Sequence, residues 1–218
     1  MPPTAGRKIG LFGGSFDPVH QAHLALAQTA LSHLHLDEIR WIPVGQPWQK
    51  ARQLASAEHR LAMVRAATEH EPRFVVDPLE TARGGPSYTL DTVRALQSGE
   101  SLLDATLVER WFLIIGQDQY ANLHTWHGWQ ELLRRVTLAV ASRAGQAPRP
   151  DPELASHPHR MVVLPMPDML VSSTDIRARL AQNLAQKDAA QTLAPAMVPN
   201  AVARYIEQHQ LYAAGTPR

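Results

Sequence analysis

The stretch from Gly13 to Leu24, Gly-Gly-Ser-Phe-Asp-Pro-Val-His-Gln-Ala-His-Leu, constrains this chain more than any other. An apolar run, Ile9-Gly10-Leu11-Phe12, precedes it, and an Ala/Leu-rich segment from Leu24 to Leu34 follows. That order reads as strand, glycine turn and helix. Gly13 and Gly14 permit a tight turn and a close approach of backbone N–H groups to a ligand. His20 and His23 are three residues apart, so on a helix they project from one face. At a helix start that face also carries unpaired N–H groups and the positive end of the dipole. These features together predict a site for a polyanion, a triphosphate above all. The plain alternative is an ordinary helix start bearing two solvated histidines; the strand and glycine context outweighs it.

The rest of the chain is patterned to place such a corner. Short strand candidates recur at Lys8–Phe12, Glu38–Pro43, Arg73–Val76, Trp111–Ile115, Val136–Ala141 and Met161–Leu164. Helix-like segments lie at 22–34, 57–70, 87–98, 127–134 and 173–183. Continuous apolar strands alternating with helices predict an α/β fold, a Rossmann-like doubly wound parallel sheet with helices on both faces. Such sheets bind ligands beyond the C-terminal ends of their strands, where the strand order reverses. A chain of 218 residues fits a single domain with its core at about 8–212 and a C-terminal helical portion. The proline-rich segment 144–159 reads as a flexible surface loop.

Composition limits the partners. A net charge of +1 announces no broad basic surface for nucleic acid, but leaves room for a local anion pocket. Cysteine is absent, which excludes disulfides and thiolate metal sites and suits a reducing compartment. Met1–Lys8 lacks the apolar core of a secretory signal, and no apolar run approaches membrane-spanning length. The expectation is a cytoplasmic protein with small-molecule partners, neither nucleic acid nor membrane. Its oligomeric state is not legible.

Several loops after strands carry candidate chemistry beside a purely structural reading. Lys50, in Pro47-Trp48-Gln49-Lys50, is a phosphate contact or a solvated charge. Ser56 or Ala57 caps the next helix, on which Arg60 reads as an exposed charge. Arg83–Thr92 is polar and glycine-rich and ends in helix-cap residues. After the fourth strand, Gly116 lets a nucleotide approach, and Asp118 is placed to hold ribose hydroxyls or a hydrated cation. Trp126 offers a flat face for an aromatic ring, whereas Trp129 reads as core. Ser172, Ser173 and Thr174 are helix-cap hydroxyls, and Arg177 adds a planar, permanently charged fork suited to phosphate.

These motifs together resemble the HxGH nucleotidyltransferase superfamily, and Gly-Gly-Ser-Phe-Asp-Pro-x-His is similar to its adenylyltransferase branch. The family's glycine between the histidines is Ala22 here. Ser87-Tyr88-Thr89 and Val171-Ser172-Ser173-Thr174-Asp175-Ile176-Arg177 look like phrases of the bacterial nicotinate-nucleotide adenylyltransferases. That family often has Pro-Pro-His-Lys where this chain has Pro-Trp-Gln-Lys, and Arg-Pro-Gly where it has Arg143-Ala144-Gly145. The resemblance runs from about Lys8 to Tyr212. It implies adenylyl transfer from ATP to nicotinate mononucleotide, with Mg²⁺ arriving on the ATP and no resident metal. It also implies roles: Gly13, Gly14, Ser15, Phe16, His20, His23, Gly116, Asp118, Ser172, Ser173, Thr174 and Arg177 at ATP. Lys50, Tyr88, Thr89, Trp126 and Arg143 fall to the mononucleotide, with Trp126 stacked on the pyridine ring. His20, His23 and Arg177 are the expected catalytic residues, the histidines acting best when protonated. Rival readings are an adenylyltransferase for nicotinamide mononucleotide or phosphopantetheine, a cytidylyltransferase, and a non-catalytic nucleotide-binding regulator on the same fold.

Overall fold

A computed structural model of the chain describes residues 6–46, 54–100, 109–143, 146–167, 169–182 and 193–212, with the side chains of Glu100 and Arg143 outside this set. Six parallel strands form one sheet: β1 (Lys8–Gly14), β2 (Glu38–Pro43), β3 (Phe74–Val76), β4 (Arg110–Ile115), β5 (Thr137–Arg143) and β6 (Met161–Met166). Their order is β3-β2-β1-β4-β5-β6, so the chain winds outward from β1 in one direction and then returns to β4 to wind in the other. The fold is therefore the doubly wound Rossmann-like sheet expected from the alternation of elements. Its switch point lies between β1 and β4, paired with Leu11 opposite Leu113.

Side-chain alternation divides the core in two. On one face Phe12, Ile39, Trp41, Ile114, Ala139 and Leu164 pack beneath α1 (Gln21–His33) and α2 (Ala57–Thr68). On the other, Ile9, Leu11, Ile42, Leu113, Ile115, Leu138 and Val140 form a second cluster. After β3 come the short α3 (Leu79–Ala82) and then α4 (Thr89–Glu100), whose Leu90, Val93 and Leu96 cover that second face. Both faces of the central strands are dry, which is why these strands read as near-continuous apolar runs.

Beyond β4 the chain forms α5 (Gln117–Ala121), a 3₁₀ turn (Leu123–Thr125) and α6 (Trp129–Arg135). The segment before β6 contains α7 (Pro152–Ala155), which is capped by Asp151 and buries Leu154 completely. The chain ends in α8 (Ser173–Gln182) and α9 (Asn200–Gln208), which add Ile176, Leu180, Val202, Ala203 and Ile206 to the first core. Ahead of α9, the Met197 carbonyl accepts from the Gln21 backbone N–H (2.9 Å), and the Pro195 carbonyl from its side-chain amide (2.7 Å). The late part of the chain thus packs directly on the start of α1.

Candidate active site

At the switch point the end of β1 and the turn after β4 open side by side. The strand β1 runs through Gly13 and Gly14, so the turn begins only at Ser15, later than the glycines suggest. The left-handed residue of the turn is Phe16, with φ of 46° and its ring buried. Gly14 is required by that ring: a Cβ there would lie 2.9 Å from Phe16 Cζ. Around Gly13 the nearest atom to such a Cβ is the Ile42 carbonyl oxygen at 4.0 Å, which leaves room for a ligand against the backbone.

His20 caps α1 from an extended conformation. Its backbone N–H donates to Nδ1 of His23 (3.2 Å), and the two imidazoles stack 3.6 Å apart at 20°. Because His23 Nδ1 accepts, the neutral ring carries its proton on Nε2 as a donor. Phe12 and Phe16 hold the His23 ring edge-on at 6.1 and 5.1 Å. His20 is 6% exposed, and among the described residues its Nδ1 has no hydrogen-bond partner. Burial penalises its cation and pulls it from the ordinary 6.5 down to about 4. The histidines are expected to act best when protonated, and at His20 burial opposes that cation.

Stability must follow from that shift. Between pH 6.5 and about 4 the unfolded chain accepts a proton that folded His20 refuses. The contribution is complete above the unfolded value and is lost as pH falls toward the folded one, amounting to about 3 kcal/mol at most. His20→Asn, which keeps a good N-cap, is expected to lose less stability than the wild type between pH 7 and pH about 4.5. Urea unfolding at the two pH values checks this; equal losses would contradict it.

The late hydroxyl–arginine cluster meets this corner. Ser172 caps α8: its hydroxyl accepts from the Asp175 N–H (3.1 Å) and donates to the Asp175 carboxylate (2.7 Å). Ser173 Oγ donates to the Pro18 carbonyl (3.0 Å), and Arg177 Nη1 donates to the Asp17 carbonyl (2.5 Å). The other arm of Arg177 donates to Thr174 Oγ1 (3.1 Å). Residues 155 and 160 positions apart in sequence are therefore tied together beside the N-termini of α1 and α8. Both helices direct orphan N–H groups and positive dipole ends outward there.

The remaining candidates that the structure describes follow β3 and β4 in the chain. Gly116 caps α5, its N–H bound to Gln119 Oε1 (3.1 Å), and Asp118 is exposed in the first turn of that helix. Thr89 opens α4, while the half-buried Tyr88 packs against His127, their rings 4.6 Å apart and tilted by 35°. Half-buried Trp126 packs against the second core, and Trp129 lies within it. Lys50 and the Arg143 side chain lie outside the described residues.

Three residues that matter here escaped the sequence reading. Arg60, expected on the surface, is 2% exposed. Its Nε donates to the Ala55 carbonyl (2.9 Å), Nη1 to those of Ser15 (3.2 Å) and Val44 (2.6 Å), and Nη2 to that of Gly45 (3.4 Å). It thus binds the loop after β1 to the loop after β2. Gly45 seats this second loop, since a Cβ there would come within 2.2 Å of the Glu80 carbonyl oxygen. Asp17 is fully buried, and its Oδ1 accepts from the Tyr212 hydroxyl (2.8 Å) and the Ala55 N–H (3.3 Å). The spacing Ser56-x-x-His59-Arg60 places Arg60 one turn into a capped helix, but nothing in it shows which way that face points.

A parallel doubly wound sheet with this corner at its switch point defines a nucleotide-binding α/β class, and residues 11–179 match the cytidylyltransferase-like family model. A protein of Methylibium petroleiphilum is 56% identical over 98% of this chain and 96% of its own length. One of Bordetella petrii is 47% identical over 94% and 99%. Both carry the name "Probable nicotinate-nucleotide adenylyltransferase". The fold is also that of a Plasmodium falciparum nicotinic acid mononucleotide adenylyltransferase complexed with NaAD (TM-score 0.70, 19% identity, 94% of this chain and 97% of the other). The chain belongs to the nicotinate-nucleotide adenylyltransferase family within that class.

Proposed function

We infer that this chain transfers the adenylyl group of ATP to the 5′-phosphate of nicotinate mononucleotide, forming deamido-NAD and pyrophosphate, a step of NAD biosynthesis. The observation that carries this reading is the pair of hydrogen bonds from Ser173 and Arg177 to the backbone of Pro18 and Asp17, immediately before the histidines. One triphosphate spanning the two helix N-termini satisfies both clusters.

In the reaction an oxygen of the mononucleotide phosphate attacks the α-phosphorus of ATP in line. The new P–O bond forms as the bond to the α–β bridging oxygen breaks, and its electron pair leaves with pyrophosphate. The attacking phosphate is already ionised at neutral pH, so positioning and charge stabilisation carry the rate, without a covalent enzyme intermediate. His23, whose Nδ1 accepts from the His20 N–H, donates from Nε2, and His20, its cation opposed by burial, acts as a neutral hydrogen-bonding group until polyanion binding draws a proton to it. Arg177, Ser172, Ser173 and Thr174, with the first turn of α8, hold the β- and γ-phosphates. The open backbone at Gly13, with Gly14, Ser15 and Phe16 shaping the turn, accommodates the triphosphate from below.

Mg²⁺ enters as part of the MgATP substrate and neutralises phosphate charge. Exposed Asp118, an oxygen ligand in contact with solvent, suits a hydrated ion of this kind and shares the ATP edge with Gly116. Tyr88, Thr89 and Trp126 form the pyridine end. Among the described residues no helix is long and apolar enough to cross a membrane; we place the enzyme with its nucleotide substrates in the cytoplasm.

Pyrophosphate release with ATP and Mg²⁺ tests this reading. Nicotinate mononucleotide is expected to support release at least roughly tenfold faster, by kcat/KM, than nicotinamide mononucleotide or phosphopantetheine. Background release with all three acceptors would overturn catalysis, and a preference for another acceptor would overturn the substrate.

A further inference from the structure

Glu80 is a buried carboxylate for which the transfer chemistry above has no use, 7% exposed in the short α3. Thr92 Oγ1, in α4, donates to its Oε1 (2.7 Å) and accepts in turn from Arg83 Nη2 (3.5 Å). Burial pushes the Glu80 pKa up, and what opposes that is a set of donors and positive charge: Thr92 first, then the Arg83 guanidinium, the Ser87 hydroxyl and the Gly45 N–H. These groups come from three segments. Gly45 belongs to the loop after β2, Glu80 and Arg83 to α3 and its C-cap, and Ser87 and Thr92 to either side of the start of α4. Backbone joins the first and last of these as well: the Ser87 N–H donates to the Gln46 carbonyl (3.1 Å), and Pro86 pairs with Gln46 as an isolated parallel bridge.

We infer that Glu80 is a positioning residue for the acceptor: its carboxylate binds the first turn of α4 to the loop after β2 and so fixes where Tyr88 and Thr89 stand. The inference rests on the reading of those two residues as part of the pyridine end. The link is short. The Tyr88 carbonyl accepts from the Thr92 N–H (3.2 Å), so a displaced Thr92 carries the backbone of Tyr88 with it. A carboxylate, which only accepts, suits a place faced by donors. Glutamine there would turn an NH₂ group toward at least one of them and remove the charge that acts on Arg83. The triphosphate corner is insulated from that loss. Ser173 and Arg177 bind the backbone of Pro18 and Asp17, and Arg60 keeps its carbonyl acceptors whatever the state of Glu80.

The test is steady-state kinetics and thermal unfolding on the full chain. Glu80→Gln is expected to raise KM for nicotinate mononucleotide roughly tenfold while KM for ATP stays within about twofold. A merely structural role would lower the melting temperature and move both constants together, or neither. Should Glu80→Gln fail to fold, Thr92→Val poses the same question, since it removes the donor to Oε1 at nearly constant volume and should raise the same KM. Thr92→Ser, which keeps the hydroxyl, is expected to hold that KM within about twofold of wild type. A wild-type KM for the mononucleotide in Glu80→Gln, or an equal rise in both constants, overturns the inference; so does a Thr92→Ser protein as impaired as Thr92→Val. Trp126→Ala separates the two levels. If it raises KM for the mononucleotide while Glu80→Gln does not, only the role of Glu80 falls; if neither variant moves that KM, the assignment of the pyridine end falls with it.

Discussion

His20→Asn is expected to lower kcat by roughly 10²- to 10³-fold while leaving the melting temperature at pH 7 within a few degrees of wild type. In the proposed reaction His20 touches the reacting phosphates: it caps α1, stacks on His23 and keeps Nδ1 without a protein partner among the described residues. Little of the fold depends on its imidazole. Asparagine caps a helix as well or better, and the buried ring nitrogen it removes is one that costs rather than gives stability. Activity and stability should therefore part company, which they would not do if His20 were a packing residue. Pyrophosphate release beside a thermal melt checks the pair; a variant that turns over at the wild-type rate would remove His20 from the chemistry.

Arg60→Met is expected to do the reverse, destabilising the protein by about 3–5 kcal/mol and lowering its melting temperature by roughly 10 °C. Arg60 donates to four backbone carbonyls from three segments. Burial pulls its pKa down, while Asp17, Tyr212 and Glu80 act to hold it up. Methionine fills much of the volume but removes a buried cation that Asp17 (0% exposed) and Glu80 (7%) both act on, leaving Asp17 to Arg177 and Glu80 to Arg83. Replacing every charge in such a network can be neutral, but removing one partner strands the others. Burial already pushes the Glu80 pKa up, so its carboxyl has little tolerance for further loss of positive charge. Arg60→Lys should fall between, because a point charge cannot serve four carbonyls at once. A methionine variant melting within about 1 °C of wild type would show that backbone contacts alone hold the two loops.

The contrast between these residues shows what a sequence can disclose. His20 and His23 are legible because their relation is local: three residues on a helix share a face whatever the rest of the chain does. The sheet is legible because β1, β2, β4 and β5 are buried on both faces and their apolar runs say so. Arg60 is not, since a charged residue on a helix is exposed unless a distant carbonyl cluster claims it, and that cluster is assembled from loops far apart in sequence. The turn after β1 misleads for a related reason. Glycine is where a left-handed residue is sought, yet the positive φ falls on Phe16, whose ring is held between Phe12, Trp41 and His23. The Tyr212–Asp17 contact has no local signature whatever.

A crystal structure of the protein with Mg²⁺ and a non-hydrolysable ATP analogue bears most directly on the proposed clamp. The triphosphate is expected to lie between the N-termini of α1 and α8, with His20 and His23 at the α–β bridge and Ser173, Thr174 and Arg177 on the β- and γ-phosphates. A triphosphate touching one cluster and not the other, or bound away from both, would contradict it.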